Sequence, residues 1–234
     1  EEELRRSIEA RDQFLSIASH ELRTPMTSIQ LQLQMARATF AKSGSLPPDR
    51  VSRLLDLSMR QLRRLASLVE SMLDVSSIHA GKLTVSRGPA DLSRIAATAY
   101  ERLRDQLDAA ACNVTLELAP ALPGEWDADR IEQVVENLLV NVIKYAAGSS
   151  VTLITRRSAD GAQLVVADRG PGVPADKHSA IFERFERVGS TRSLGGLGLG
   201  LFIAKQLVEA HGGQICASDT QGGGATFTID LPMR

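Results

Sequence analysis

Through residues 1 to about 78, apolar side chains recur every three to four positions and the chain is nearly free of glycine. Leu4, Ile8, Leu15, Leu22, Ile29 and Leu33 fall on one narrow stripe of a helix turning about 100° per residue, with Ala18 beside it. A second stripe runs through Val51, Leu55, Leu62, Leu65, Val69 and Met72. The break between them, Lys42 to Pro48, carries Gly44 and the Pro47–Pro48 pair, and Pro48 followed by Asp49 suits the start of a new helix. The pattern predicts two long antiparallel helices, the first roughly 57 Å long if continuous from Leu4 to Ala41. One hairpin cannot cover both stripes. Each Leu or Ile left in water forgoes roughly 1.5–3 kcal/mol, so two hairpins packed as a four-helix bundle are expected. The alternative cover is the rest of the same chain.

Beyond His79 the period changes. Gly81 and the Gly88–Pro89 pair bracket a predicted short strand, Lys82 to Ser86, in a junction placed at Ile78 to Pro89. Helices are expected over Asp91–Leu107, with Asp91 as cap, over Asp127–Ala147 and over Leu199–His211. Strands are expected at Cys112–Leu118, Val151–Arg156, Gln163–Asp168, Gln214–Ala217 and Ala225–Leu231, with a glycine-rich, charged loop over 169–197 holding one short helical piece. The expected architecture is an all-α helical hairpin over residues 1–80, followed over 81–234 by an α+β sandwich with helices on one face of a mixed sheet.

Composition narrows the possibilities. With 27 Lys+Arg against 28 Asp+Glu among 234 residues, the net charge is -1, which argues against a nucleic-acid binder held by phosphate contacts. No apolar run approaches the ~18 residues needed to cross a bilayer. Cys112 and Cys216 are too few for a disulfide framework or a zinc site and fit a reducing cytosol. The charged start, lacking an initiator Met, is expected of a fragment of a longer polypeptide.

The candidate chemistry begins at Ser19-His20-Glu21-Leu22-Arg23-Thr24-Pro25. Helical geometry puts His20 roughly 155° from the Leu15/Leu22 stripe, facing outward, with Thr24 one turn on along the same face. Pro25 removes a backbone hydrogen bond and is expected to kink the helix. A neutral imidazole is a competent nucleophile near neutral pH, and the adjacent Glu21 carboxylate can take its ring proton. Taken alone, the stretch is better read as a solvated surface histidine with an incidental proline kink.

The second half carries parts suited to phosphate. On the predicted helix Asp127–Ala147, Ile131, Val135, Leu138, Val142 and Ala146 make the apolar face. Opposite them Asn137, Asn141 and Lys144 lie within about 60° of arc, joined by Arg130. A carboxamide oxygen is a hard ligand for Mg²⁺ that adds no negative charge beside a triphosphate, and Lys144 supplies a point charge. Asp168, at a strand end before Gly170 and Gly172, can accept from an exocyclic amine such as that of adenine. Gly195 to Gly200 opens a helix, exposing N–H groups to an anion, without the Lys-Ser/Thr of a Walker motif or the βαβ unit of a dinucleotide fold.

Taken together, these residues resemble the bacterial sensor histidine kinases. Phe14 to Pro25 is similar to their H box and Asn137 to Tyr145 to their N box. Asp168 to Gly172 resembles the G1 box, Ile181 to Arg187 the F box, Gly196 to Gly200 the G2 box, and Gly222 to Phe227 the closing glycine-rich turn. The resemblance spans nearly the whole chain, in the family's order. It implies a dimeric phosphoacceptor hairpin joined to a Bergerat-type ATP-binding domain shared with gyrase, Hsp90 and MutL. By it, His20 would accept the γ-phosphoryl of ATP, Glu21 would serve as its base or orienting partner, and Thr24 would position water for a phosphatase reaction. Asn141 would bind Mg²⁺, and Asn137 and Lys144 would contact phosphates. Tyr145 would line the nucleotide site, and Asp168, with Gly170 and Gly172, would receive adenine. Arg187 would reach the phosphates from a lid that closes through Gly196, Gly198, Leu199 and Gly200. The implied partners are a second copy and the receiver domain of a response regulator. The implied setting is cytoplasmic, below a missing sensor or membrane-anchored region. Leu197 departs from the family's usual Thr or Ser and is the support for the alternative, a dimeric phosphotransfer scaffold with a degenerate ATP domain.

Overall fold

The structure, a computed structural model, describes residues 2–186 and 197–233, with side chains from Ser16 onward. It divides into two compact units, one built on residues up to Ser76 and the other starting at Ser77.

The first unit is helical. α1 spans Glu2–Ser43 and runs unbroken through Pro25; α2 spans Pro48–His79. Gly44, at φ 70°, ends α1 in the left-handed conformation and donates its N–H to the Phe40 carbonyl at 2.8 Å. Pro48 opens α2 and Asp49 follows in its first turn, where a carboxylate favours the helix dipole. Arg64 of α2 meets Glu21 of α1, Nη2 to Oε2, at 3.1 Å, which marks the side on which the two helices face each other. Leu68 and Val75 share that side and are buried. Val51, Leu55, Leu62, Val69 and Leu73 lie about 140–180° around α2 from Arg64 and are 36–63% exposed. Leu33, on the α1 stripe, is 51% exposed. A single hairpin therefore leaves apolar stripe positions of both helices in solvent, as the stripe widths imply.

The second unit is the α+β sandwich. It contains α3 (Leu92–Ala109), α4 (Ala128–Tyr145) and α5 (Gly200–Ala210). Its strands are β1 (Gly88–Asp91), β2 (Asn113–Leu118), β3 (Pro123–Trp126), β4 (Ser150–Arg157), β5 (Ala162–Asp168), β6 (Gln214–Asp219) and β7 (Ala225–Leu231). The main sheet has the order β2-β4-β5-β7-β6, with β2 and β4 parallel and the other pairs antiparallel. Alternate residues of β5 and β7 (Leu164, Val166, Phe227, Ile229) are buried together with the apolar faces of the helices. This is the one-sided layer that an amphipathic sheet needs. Ile131, Val135, Leu138 and Val142 of α4 and its C-cap Ala146 are all at most 3% exposed, as their spacing predicts.

Two expectations are corrected. Lys82 to Ser86 form no strand; the strand is the later β1, which pairs with β3 antiparallel as a separate ribbon, Gly88 opposite Trp126. Instead of finding a ladder partner, Ser86 donates its N–H to the Asp127 carboxylate at 2.8 Å. Among the described residues, the loop after β5 carries two 3₁₀ turns, Ala175–Lys177 and Ala180–Phe182, rather than one helical piece. Gly124 admits the Trp126 ring, which would lie 2.4 Å from any Cβ there; Trp126 Nε1 donates to the Pro232 carbonyl at 2.8 Å.

Candidate active site

In the hairpin, His20 and Thr24 are exposed on one face of α1. Thr24 Oγ1 donates to the His20 carbonyl at 3.1 Å, so the hydroxyl's only proton is used and its lone pairs remain to accept. Pro25, with no N–H, leaves the Glu21 carbonyl without its helical donor. The Glu21 carboxylate lies on a different side from His20, half-covered and bonded to Arg64.

In the second unit, α4 carries Asn137, Asn141 and Lys144 on its half-exposed flank and Tyr145, 38% exposed, at its end. The Nδ2 atoms of Asn137 and Asn141 are buried and have no hydrogen-bond partner. Unpaired buried donors are costly, and such a pair marks a place for an acceptor. The start of α5 lies against them: a Cβ on Gly200 would sit 3.4 Å from Asn137 Oδ1. α3 and α4 are capped by Asp91 and Asp127, whereas no side chain caps α5, so its first N–H groups stay open to an anion. Gly198, at φ 66°, lets the chain pass Phe185, whose N–H donates to the Gly198 carbonyl at 3.1 Å. Leu199 is buried one residue before α5.

Asp168 ends β5 almost wholly buried, with Oδ1 accepting from Gly170 N at 2.8 Å and Ala225 N at 3.2 Å. The glycines around it are there for close approach. A Cβ on Gly170 would lie 2.6 Å from the Ala146 Cβ, and one on Gly224 would lie 2.0 Å from the Asp168 carbonyl. Gly172, at φ 74°, completes the turn against Gly224. Arg187 and Gly196 lie outside the described residues. The turn 181–186 is anchored by Phe182, edge-on to Phe227 at 6.4 Å, and by Arg184, stacked 4.8 Å over Phe202 of α5.

Two supports have no role assigned to them by the sequence. Ala225 and Gly224 hold Asp168; their signal was the glycine run at 222–224. His211, 1% exposed, joins the carboxyl end of α5 to the amino end of α4. Its Nε2 accepts from the Asp127 N–H at 3.0 Å and its Nδ1 donates to the Leu207 carbonyl at 2.7 Å, which defines the neutral ring. Burial is the main cause that lowers its pKa below 6.5; Arg87 adds to this, while the Leu207 carbonyl and Asp127 oppose it. Arg87 also donates to the Ala210 carbonyl at 2.9 Å. Only a histidine just before a glycine pair hinted at such a helix-end role.

A phosphoacceptor hairpin preceding an ATPase sandwich is the class of protein these features define. The profile of the His Kinase A (phospho-acceptor) domain matches residues 10–81, and that of the histidine kinase-, DNA gyrase B- and HSP90-like ATPases matches 126–234. The alginate biosynthesis sensor protein KinB of Pseudomonas aeruginosa is 33% identical over 95% of this chain. The solved Acinetobacter baumannii histidine kinase AdeS is 28% identical, with a TM-score of 0.68 over 92% of this chain and 98% of that one. The solved mycobacterial sensor histidine kinase MprB is 30% identical, with a TM-score of 0.56 over 64% of this chain and 99% of that one. The chain belongs to the sensor histidine kinases. It spans 37% of the length of KinB.

Proposed function

We propose that the chain is a kinase core that phosphorylates itself on His20 at the expense of ATP. It then passes the phosphoryl group to an aspartate of a response regulator and also acts as that regulator's phosphatase. Residues 1–80 serve as the dimerisation and phosphotransfer part, 81–234 as the ATP-binding part, and Ile78 to Pro89 as the hinge. The observation that carries the reading is the pair of buried, unpartnered carboxamide nitrogens of Asn137 and Asn141 on a chain that also holds a histidine in solvent.

The residues perform separable tasks. Asp168 receives the adenine amine and Tyr145 flanks the base. Asn137, Lys144 and the open N–H groups of α5 hold phosphate oxygens. Among the described residues no cluster of three acidic, His or Cys side chains could hold a metal alone, and a single carboxamide fits an ion that arrives with the triphosphate. Mg²⁺ held by Asn141 would neutralise charge on the phosphates during transfer. A ring nitrogen of His20 attacks the γ-phosphorus, forming an N–P bond as the O–P bond to the leaving ADP breaks, and the ring's proton passes to Glu21 or solvent. Thr24, whose lone pairs are open, orients water in the reverse duty. Leu31 and Met35, more than half exposed on the His20 side of α1, offer an apolar landing for the regulator. The apolar face of α2 (Val51, Leu55, Leu62, Val69) and Leu33 of α1 pair with a second copy as a four-helix bundle.

Incubation with γ-labelled ATP and Mg²⁺ tests this. An acid-labile, base-stable phosphoprotein is expected, absent in His20→Gln. Undiminished label in that variant overturns the assignment, and no measurable ATP affinity favours the degenerate scaffold.

A further inference from the structure

Glu21 is the residue beside the phosphoacceptor, yet its carboxylate is turned between the helices. Oε2 meets Arg64 Nη2 of α2 at 3.1 Å, across 43 residues of sequence. The glutamate side chain is 15% exposed and the arginine 41%, so the pair is covered on the carboxylate side and open on the guanidinium side. Successive helix residues point about 100° apart and do not face each other. A carboxylate bonded to α2 is therefore aimed away from the exposed ring of His20, and a proton leaving that ring would not meet it.

We propose that Arg64 is a positioning residue, a latch that holds Glu21 in an idle position and must release it before Glu21 can serve His20. The inference rests on the kinase reading and extends it to regulation at the same site. The bond spans α1 and α2, so a small rotation or slide of one helix against the other lengthens it without disturbing either helix. Movement within the hairpin would thus control whether the base is available. A partly exposed ion pair adds little to stability, so Arg64 can be changed without unfolding the hairpin. Arg64 reaches Glu21 Oε2 through Nη2, and a lysine ammonium can take over a contact of that kind where a bidentate fork would be irreplaceable.

The test is the rate of His20 phosphorylation in the full chain at saturating ATP, across pH 6 to 9, for the unmodified protein, Arg64→Ala, Arg64→Met and Arg64→Lys. Each is also made in a Glu21→Gln background, with size-exclusion chromatography alongside. Arg64→Met keeps the aliphatic stem on the hairpin in case Arg64→Ala disturbs it. A latch gives a rise of about threefold or more in Arg64→Ala and Arg64→Met, a small part of the ~10²–10⁴ that a positioned base contributes, with an unchanged KM for ATP. It also gives a return to the slow rate in Arg64→Lys and no acceleration on the Glu21→Gln background. Unchanged or slower phosphorylation in both Arg64→Ala and Arg64→Met overturns the latch, as does an acceleration that persists without the Glu21 carboxylate. Absence of label on His20 in the unmodified chain overturns the kinase reading and the latch with it.

Discussion

His211 shows how much a single side chain positions here. Its neutral ring closes a path from the Leu207 carbonyl to the Asp127 N–H, and Asp127 in turn caps α4 through Arg130 N and receives Ser86 N. A histidine whose pKa is lowered in the fold takes up a proton on unfolding between that lowered value and about 6.5, so the unfolded state binds more protons in that window. Stability from His211 is complete above about 6.5 and falls as the pH drops toward the lowered value. His211→Gln is expected to cost about 1–3 kcal/mol at pH 7.5 by disturbing a buried donor's partner, and to flatten the loss of Tm as the pH falls below about 6.5. Melting curves across that range check it, and an unchanged acid slope would remove the role. Asn141 tests the opposite kind of residue, one whose buried Nδ2 has no partner in the fold. Asn141→Ala is expected to lower autophosphorylation by about 10²-fold or more while leaving the elution volume and Tm of the protein unchanged. A shift in either would make Asn141 structural.

At the scale of elements, the start of α5 departs most from helix-building rules. α3 and α4 have aspartate caps, and α5 begins at a glycine with no capping side chain. Gly200 has no positive φ and a Cβ there would meet Asn137 Oδ1 at 3.4 Å, so alanine can be accommodated. Gly200→Ala is expected to stabilise the domain by about 0.5–1 kcal/mol and to weaken ATP binding about tenfold by filling the gap above Asn137, roughly one hydrogen bond to a charged group. Denaturation and nucleotide titration read the two effects separately; a gain in both would mean the gap is not for phosphate. The helix boundaries were readable because α4 repeats its apolar residues at helical spacing over 18 residues. β1 and β3 were not readable. Each is four residues long, holds a glycine and a proline, and pairs with a partner more than thirty positions away. Lys82 to Ser86 has the alternation of a strand but pairs with no other strand.

For the molecule as a whole, the hairpin's outer face is the open question of energy. Leu62 is 52% exposed in the centre of the α2 stripe, with Leu55 and Val69 each about two turns away. In a four-helix bundle each copy would bury it. Leu62→Glu is expected to remove at least about 3 kcal/mol over the two copies, a hundredfold or more in the dimer dissociation constant. Sedimentation of both proteins checks it; a dimer that survives unchanged would place the interface elsewhere.

Periodicity by itself determined the helical hairpin, the one-sided sandwich and the outward face of His20, because amphipathic spacing is a local property written every few residues. The order of short motifs determined the family. Tertiary structure decided what local pattern cannot carry. It bonded Glu21 to an arginine 43 residues on, set Gly224 and Ala225 beneath Asp168, and put a histidine at the foot of α5 in charge of the cap of α4. These contacts join residues distant along the chain, and only packing, which gives most buried donors and acceptors a partner, brings them together.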